Sequence, residues 1–406
     1  MACALTGALA GCGTGDGASA STGTGPRALA ASTPASCPEA VLDTLTAGVL
    51  QRVYREGVSS ERTVIARRML RSPALRAAVL SGSRAAVQSA ARALVARGRI
   101  TDLMITENGR TLASVGPPAL APIHGSITDS AGRPIAAYTT SVWADRGFLA
   151  EARGITGGIV AIRSGGRSVG GSAPIGRPIA RTGTLTRSGV LYAYDSFPAE
   201  RYPAGAAQIY LLRPVSASEP LCGTNTTETV VNTLRHVARA IYTAEEGSQA
   251  LTQIQRVASS PALVQAVAAG EPSATRAAVS SLLHQHIVRL RVISRGRLLA
   301  DVGGPFVLAP VQGHLTFHGR EIGRFALSIQ DDEGYKRLTG RLAGLKVLIY
   351  MDGQLVKNSL GPHPGNVPAN GPYEYGGATY RVFTLHLRAF PSGPLLVRAL
   401  VPIPYG

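Results

Sequence analysis

The stretch Gly109-Arg110-Thr111-Leu112-Ala113-Ser114-Val115-Gly116 returns 187 positions later as Gly296-Arg297-Leu298-Leu299-Ala300-Asp301-Val302-Gly303. The same offset, within one position, relates Ser72-Pro73-Ala74-Leu75 to Ser260-Pro261-Ala262-Leu263 and Tyr202-Pro203 to Phe390-Pro391. This period is far longer than that of solenoid repeats, so each copy is expected to fold around a complete core of its own. The 406 residues therefore contain one unit used twice.

Each copy begins with helical patterns and continues with strand patterns. Apolar residues at helical spacing form matching stripes in the two copies, namely Leu42, Leu45, Val49 and Val53, and Val230, Leu234, Val237 and Ile241. Pro73 and Pro261 suit the first turn of a further helix. Asn108-Gly109 then suits a tight hairpin turn between two strands. These patterns predict an α+β unit in which N-terminal helices pack on an antiparallel sheet of about five or more strands.

The N-terminal segment differs from the rest in composition. Residues 1–12 end in Leu9-Ala10-Gly11-Cys12, which resembles a bacterial lipobox, although a basic n-region is absent. The resemblance implies lipidation of Cys12 and a location on the outer face of the cell membrane. Residues 13–36 are rich in Gly, Ser, Thr and Ala and predict a flexible tether. The alternative is a tail of small residues without an anchor.

Two cysteines follow the lipobox. Cys37 and Cys222 each stand shortly before the first long helix of a repeat, and Cys222 also follows the last predicted strand of the first repeat. A Cys37–Cys222 disulfide would join the two ends of that repeat, as is common outside the reducing cytoplasm. The alternative is two free buried thiols.

The formal net charge is +17, and arginine carries nearly all of the positive charge because the chain has only three lysines, Lys336, Lys346 and Lys357. A basic chain can meet polyanions such as envelope polymers or anionic lipid. The arginines are scattered and no dense basic block with interleaved aromatic residues occurs. We therefore expect no nucleic-acid partner.

The order of elements resembles that of extracytoplasmic sensor domains of the Cache type, which are PAS-like. The resemblance rests on the Ser-Pro-Ala-Leu element, on Ile105-Thr106-Glu107-Asn108-Gly109-Arg110, and on Ile127-Thr128-Asp129-Ser130-Ala131-Gly132-Arg133-Pro134-Ile135. It implies two tandem Cache-like domains, residues 37–220 and 221–406, each of the single-Cache type. Because no apolar run of membrane-spanning length occurs, any signal is expected to pass through a membrane receptor partner.

The sequence offers no convincing catalytic or metal-binding set. His284-Gln285-His286 has an i, i+2 spacing, which places the two imidazoles on different sides of a helix. Asp331-Asp332-Glu333 is typical of a helix start, with half of a cation site as the alternative. No Gly-x-Ser-x-Gly elbow is present. We therefore expect a non-enzymatic protein without a cofactor or metal.

The resemblance places a small-molecule pocket under one side of the sheet. In the first repeat, Trp143 offers a flat apolar wall and Arg146 a fork for a carboxylate, which makes an amino acid or another carboxylate the expected ligand class. The predicted binding residues of the first repeat are Trp143, Asp145, Arg146, Tyr192, Tyr194 and Asp195, and those of the second are Arg324, Gln330, Asp332 and Tyr380. The alternative is that these side chains are ordinary core or rim packing.

The sequence thus predicts a lipid-anchored extracytoplasmic sensor that binds a small molecule and passes the ligand state to a membrane partner. The alternative function is that of a non-catalytic envelope protein, whose basic surface binds an anionic polymer or another protein.

The predicted anchor has a direct test. In a bacterial host, incorporation of labelled palmitate into the chain should disappear in Cys12→Ala, because lipidation requires the thiol at this position. A Cys3→Ala variant is the matched control and should be labelled like the original chain. Equal labelling of Cys12→Ala and the original chain would remove the anchor from the prediction.

Overall fold

The structure is a computed structural model that describes residues 38–405 except 172–174, 176–179, 204, 218–220, 284 and 285. The predicted lipobox with Cys12, the predicted tether, Cys37, His284 and Gln285 lie outside the described residues. Both repeats belong to one compact unit, Cys37–Gly406.

The first repeat contains helices followed by strands. Its helices are α1 (Glu39–Glu56), α2 (Ser60–Leu70), α3 (Pro73–Leu80), α4 (Arg84–Val95) and α5 (Asp145–Thr156). Its strands are β1 (Asp102–Glu107), β2 (Arg110–Val115), β3 (Ala119–Leu120), β4 (Ile123–Thr128), β5 (Pro134–Ser141), β6 (Trp143–Ala144), β7 (Ile159–Ser164), β8 (Arg167–Gly171), β9 (Thr182–Arg187), β10 (Val190–Tyr202) and β11 (Gly205–Pro214).

The second repeat has the same order of elements. Its helices are α6 (Thr226–Ala244), α7 (Ser248–Ala258), α8 (Pro261–Ala269), α9 (Pro272–Leu282) and α10 (Asp332–Ala343). Its strands are β12 (Arg289–Ser294), β13 (Arg297–Gly303), β14 (Val307–Leu308), β15 (Val311–Phe317), β16 (Arg320–Ser328), β17 (Gln330–Asp331), β18 (Lys346–Met351), β19 (Gln354–Asn358), β20 (Gly371–Tyr375), β21 (Ala378–Ala389) and β22 (Gly393–Ile403).

Local sequence signals account for several helix starts. The Ser72 side chain accepts a hydrogen bond from the Leu75 amide while Pro73 occupies the first turn of α3, and Ser260 and Pro261 do the same for α8. The predicted apolar stripe of α1, Leu42, Leu45, Val49 and Val53, is buried along its whole length. The helix predictions from periodicity and capping are therefore confirmed.

The α+β class, the antiparallel pairing and the duplication are confirmed, but the strands of each repeat divide between two sheets. In the first repeat one sheet has the order β2-β1-β5-β4, and the other has the order β6-β3-β10-β11-β7-β8 with β9 paired to β10. The second repeat has the same pair of sheets. Each repeat thus has a smaller lobe with four strands and a larger lobe with seven, which differs from the predicted single sheet.

Only the smaller lobes have separate cores. In the first repeat α2, α3 and α4 bury Leu70, Leu75, Val87 and Leu94 against the four-stranded sheet, and the second repeat has a corresponding separate cluster. The larger lobes instead share one cluster, to which α1, α5, α6 and α10 all contribute together with both seven-stranded sheets. The expectation of one complete core per copy is therefore wrong for the larger lobes, because α1 and α6 are apolar on more than the one face that their own sheet covers.

Two aromatic side chains occupy corresponding places in this shared core. Phe148 of α5 and Tyr335 of α10 are fully buried, and each makes an edge contact with a tyrosine of its repeat's first helix, Tyr54 at 6.4 Å or Tyr242 at 6.5 Å. The Tyr335 hydroxyl donates to the Ala238 carbonyl at 3.0 Å, which satisfies its only polar group.

The two ends of the first repeat lie close together. Arg213 at the end of β11 donates from Nε and Nη2 to Asp43 Oδ1 of α1, at 3.1 and 2.5 Å. Cys222 is disulfide-bonded. Since the predicted partner Cys37 lies outside the described residues, the Cys37–Cys222 pairing stays a prediction.

Polar contacts between the repeats are of two kinds. Arg341 of α10 binds Glu56 at 2.8 Å and Arg337 binds Glu61 at 3.1 Å. In addition, α5 packs against α6, and Glu151 lies near Glu245, which directly follows α6. Burial, and then the neighbouring Glu151, raise the pKa of Glu245 to about 7. Burial also raises the pKa of Glu151, which Arg62 opposes.

This carboxylate pair predicts a stability that depends on pH. The pKa of Glu245 in the folded protein lies above its ordinary value of 4.5. Its contribution to the free energy of unfolding is therefore fully present below pH 4.5 and is lost as pH rises through about 7. We expect Glu245→Gln to match the original chain at pH 4.5 and to exceed it by about 1–2 kcal/mol above pH 8 in urea unfolding, a value reduced for partial exposure.

Glu246→Gln is the matched control, because Glu246 binds Arg388 at 3.2 Å instead of facing Glu151. It should not raise stability at high pH. A constant difference between Glu245→Gln and the original chain at all pH values would contradict the interpretation.

Candidate ligand-binding site

Trp143 lies where the loop after β5 meets the shared core. Its indole makes an edge contact with Phe148, with ring centroids 5.9 Å apart. A Cβ on Gly57, which follows α1, would lie 3.5 Å from the indole, so the helix end passes close to the ring. Trp143 is partly buried and packs against the core of the larger lobes.

The two charged residues after Trp143 have different surroundings. Asp145 begins α5 and its Oδ2 accepts hydrogen bonds from Arg201, with Nε and Nη2 both at 2.8 Å. Arg146 is exposed and makes no hydrogen bond or ion pair with another described residue. Asp145 therefore joins α5 to β10, while Arg146 is directed to solvent.

The three predicted residues of β10 do not meet this group. Tyr192 and Tyr194 pack with Tyr210 and Ile175 on the face of the sheet that is turned away from α1. Asp195 alternates to the face of α1 and lies near Asp43. Asp43 and Gly57 are separated by about 21 Å along α1, so Asp195 and Trp143 lie at opposite ends of the helix.

The predicted residues of the second repeat are also dispersed. Arg324 lies on β16 of the smaller lobe, exposed, and binds Glu321 at 3.0 Å. Gln330 begins β17 and Asp332 begins α10, where Asp332 approaches Lys357 at 3.6 Å. Tyr380 is buried on the outer face of the seven-stranded sheet. Neither repeat therefore gathers its predicted set into one pocket.

The junction between the lobes differs in charge between the repeats. In the first repeat Asp102 is fully buried, and burial raises the pKa of its carboxyl to about 7 although Thr101 donates to Oδ2 at 2.9 Å. In the second repeat the same position is Arg289, which binds Asp301 at 2.8 Å and lies over the Phe390 ring at 4.8 Å. An ionised carboxylate is disfavoured in the first case and a guanidinium is fully paired in the second.

A cavity of about 290 Å³ opens in the smaller lobe of the first repeat, between the α2–α3 corner and β4. Its lining residues are Arg67, Leu70, Arg71, Arg76, Gly125, Ser126, Ile127, Thr128 and Tyr138. Arg67 lies in the last turn of α2, Arg71 directly follows that helix, and Arg76 lies on α3. We call this space the arginine cavity.

The polar groups of the arginine cavity lack partners. None of the three guanidinium groups makes a hydrogen bond or ion pair with another described residue, and no acidic side chain lines the space. The Tyr138 side chain is buried, yet its hydroxyl makes no hydrogen bond with a described residue. A Cβ on Gly125 would collide with the Tyr138 ring and hydroxyl, so glycine at this position makes room for the tyrosine.

The second repeat has the same backbone but a different lining. The positions that correspond to Arg67, Arg71 and Arg76 hold Gln255, Ser259 and Val264, and Phe325 takes the place of Tyr138. Gly313 corresponds to Gly125, and a Cβ there would collide with the Phe325 ring. The packing of an aromatic ring on glycine is therefore common to both repeats, while four polar groups are specific to the first.

Sequence reasoning missed these residues. The predicted binding residues of the first repeat lie in the loop after β5 and on β10, and none lies on the helices that precede the strands. The difference between the repeats is visible in the sequence, because three arginines of the first repeat correspond to Gln, Ser and Val of the second at the constant offset of 188. What the offset could not show is that α2, α3 and β4 converge on one cavity.

The arginine cavity has the chemistry of an anion site. Three guanidinium groups offer planar forks that suit bidentate binding of carboxylate or phosphate oxygens, and the tyrosine hydroxyl can donate a further hydrogen bond. Like charges without a counter-charge repel one another, so an anion between them would be stabilised. Among the described residues, no group of three or more His, Cys, Asp or Glu side chains could hold a metal ion. Within the same residues, no helix is both long and apolar enough to cross a membrane.

No protein-family model and no curated protein matches the chain. Several solved structures resemble it weakly, among them the following two. The periplasmic domain of LuxQ from Vibrio cholerae is 12% identical, the match covers 42% of this chain and 94% of that chain, and the TM-score is 0.28. An extracellular ligand-binding receptor from Desulfohalobium retbaense is 12% identical, with 55% and 47% covered and a TM-score of 0.26. Since both TM-scores are below 0.5, neither similarity carries an argument about this protein.

Proposed function

We propose that this protein is an extracytoplasmic receptor without enzymatic activity that binds a small anionic molecule in the first repeat. It is held at the outer face of the cell membrane by a lipid on Cys12, and it passes the ligand state to a membrane partner. The observation that carries the proposal is the arginine cavity, in which three arginines and one tyrosine hydroxyl have no partner within the described chain.

The ligand class follows from the lining. A small carboxylate, including an amino acid, or a phosphate would bind Arg67, Arg71 and Arg76 through charge-assisted hydrogen bonds. The proposed site replaces the group around Trp143, because Trp143 packs on the core and Asp145 is already paired with Arg201. The ligand role of Arg146, Tyr192, Tyr194 and Asp195 has no such support.

One helix connects the arginine cavity to the contact between the repeats. Helix α2 carries Arg67 in its last turn and Glu61 in its first turn. Glu61 binds Arg337 of α10 at 3.1 Å. An anion that draws the α2–α3 corner towards β4 would tilt α2 and change this inter-repeat contact. Ligand binding would then shift the population between two arrangements of the repeats, which a partner could read.

The net charge of +17 favours a second function, that of an envelope protein that grips an anionic polymer. Such binding would use the whole basic surface and would weaken steeply with salt. Removal of the cavity arginines would then weaken polymer binding no more than removal of other arginines. One experiment can therefore distinguish the two functions.

The test uses titration calorimetry and thermal unfolding of the full chain against monocarboxylates, dicarboxylates, amino acids and inorganic phosphate. A ligand that binds the folded state at a hundredfold excess over its Kd should raise stability by about 2.7 kcal/mol. The decisive variant places the residues of the second repeat in the cavity, as Arg67→Gln, Arg71→Ser and Arg76→Val combined. We expect it to abolish binding, and Tyr138→Phe to weaken binding about fivefold.

Arg68→Gln, Arg92→Gln and Arg97→Gln combined form the matched control, because these arginines lie in the same lobe, are exposed like Arg67 and Arg71 but do not line the cavity, and remove the same charge. This control should bind the ligand like the original chain. An equal loss of binding in both triple variants, or binding only to polyanions that salt abolishes, would refute the receptor and favour the polymer-binding function.

A further inference from the structure

Two hairpin turns of the second repeat lie side by side at one end of its four-stranded sheet. Strand β12 leads into the turn at Arg295-Gly296, and β16 follows the turn at His318-Gly319. Because Ile293 near the end of β12 pairs with Arg324 near the start of β16, both turns are at the same end of the sheet. We call residues 293–298 and 317–320 the hairpin tip.

The hairpin tip exposes large apolar side chains. Ile293 and Leu298 are direct cross-strand neighbours, so their side chains lie on the same face, and they are 38% and 52% exposed. Phe317 on the neighbouring hairpin is 38% exposed and makes an edge contact with His318 at 4.1 Å. Ile293 and Leu298 on the adjacent strands β12 and β13 therefore form one exposed apolar pair, while Phe317 lies on β15, which β16 separates from β12, and alternation places it on the other face of the sheet.

Arginines accompany the apolar groups. Arg295, Arg297 and Arg320 are exposed and form no ion pair with another described residue. The acid that follows, Glu321, is already bound by Arg324 at 3.0 Å and by His314 at 3.1 Å. The hairpin tip is therefore both apolar and strongly basic.

The corresponding end of the first repeat has neither property. Thr106 and Thr111 stand in place of Ile293 and Leu298, Asp129 in place of Phe317, and Asn108 in place of Arg295. Asp129 also accepts hydrogen bonds within its own turn, from the amides of Ala131 and Arg133. Since the two sheets share their strand order and offset, the fold does not require apolar side chains at this end.

We propose that the hairpin tip docks on the surface of an anionic lipid bilayer. Turns that combine Ile, Leu and Phe with arginine suit the bilayer interface, where apolar groups enter the acyl boundary and each arginine near the surface strengthens binding roughly fivefold. The exposed apolar pair beside unpaired arginines favours an anionic bilayer over a protein partner, because both the apolar groups and the positive charges are complementary to its surface. The inference depends neither on the arginine cavity nor on lipidation of Cys12.

The test is co-sedimentation with vesicles of phosphatidylcholine alone and of phosphatidylcholine mixed with phosphatidylglycerol. The protein is the full chain carrying Cys12→Ser, so that no acyl anchor contributes. We expect binding to the mixed vesicles and little binding to phosphatidylcholine. Ile293→Thr with Leu298→Thr, the residues of the first repeat, should weaken the vesicle affinity about tenfold or more without changing the net charge.

A second variant removes charge instead of apolar surface. Arg295→Asn with Arg297→Asn should weaken the vesicle affinity and reduce its salt dependence, since each arginine near an anionic surface strengthens binding roughly fivefold. Circular dichroism melting curves should be unchanged in both variants, because all four side chains are exposed.

Matched controls separate docking at this site from attraction of the whole basic chain. Val64→Thr with Leu80→Thr removes apolar groups that are 52% and 60% exposed elsewhere, and Arg97→Asn with Arg110→Asn removes the same charge from the first repeat. Both should bind vesicles like the original chain. Vesicle binding that is absent, or that falls equally in tip and control variants, would overturn the proposal.

Discussion

The fold depends on the apolar cluster that α1, α5, α6 and α10 bury between the two seven-stranded sheets. Fully burying a side chain such as Phe148 stabilises the fold by about 1.5–3 kcal/mol, and the same cluster includes residues of both repeats. Neither larger lobe can therefore leave the other without exposing its first helix to water. The smaller lobes are free of this constraint because each closes its own core. A rigid shared centre with two separately packed lobes is an arrangement in which a ligand can move one lobe against a fixed reference.

Duplication has preserved apolar positions and changed polar ones. The edge contacts of Phe148 and Tyr335 with the first helix of each repeat are nearly superimposable in geometry. In contrast, the arginine cavity, the junction at Asp102 or Arg289 and the hairpin tip differ in charge between the copies. A core position tolerates few side chains because it is filled to crystal density, whereas a cavity or a turn can exchange its residues at little cost in stability. The positions that diverge are therefore the ones at which the two copies can perform different tasks.

Charge is also distributed unevenly across the contact between the repeats. Arginines of α10 bind glutamates of α1 and α2, while Glu151 of α5 lies near Glu245 at the end of α6. The first arrangement pairs opposite charges across the contact. The second is favourable only while one carboxyl keeps its proton, because two ionised carboxylates in a partly buried place repel. The same interface thus contains ion pairs of opposite charge and a carboxyl pair whose interaction energy depends on pH.

The sequence by itself determined the duplication, the α+β class and the helix starts at Ser72 and Ser260, because offset, periodicity and capping are local properties of the chain. The sequence also shows that the second repeat has Gln255, Ser259 and Val264 at the positions of Arg67, Arg71 and Arg76. Only the tertiary structure decided that the strands of each repeat form two sheets, since strand patterns do not name their partners. It likewise decided that Trp143 packs on the core while residues of α2, α3 and β4 surround a cavity. Such convergence depends on packing between segments that are far apart in the chain, whereas hydrophobic periodicity reports only on residues that are close together in it.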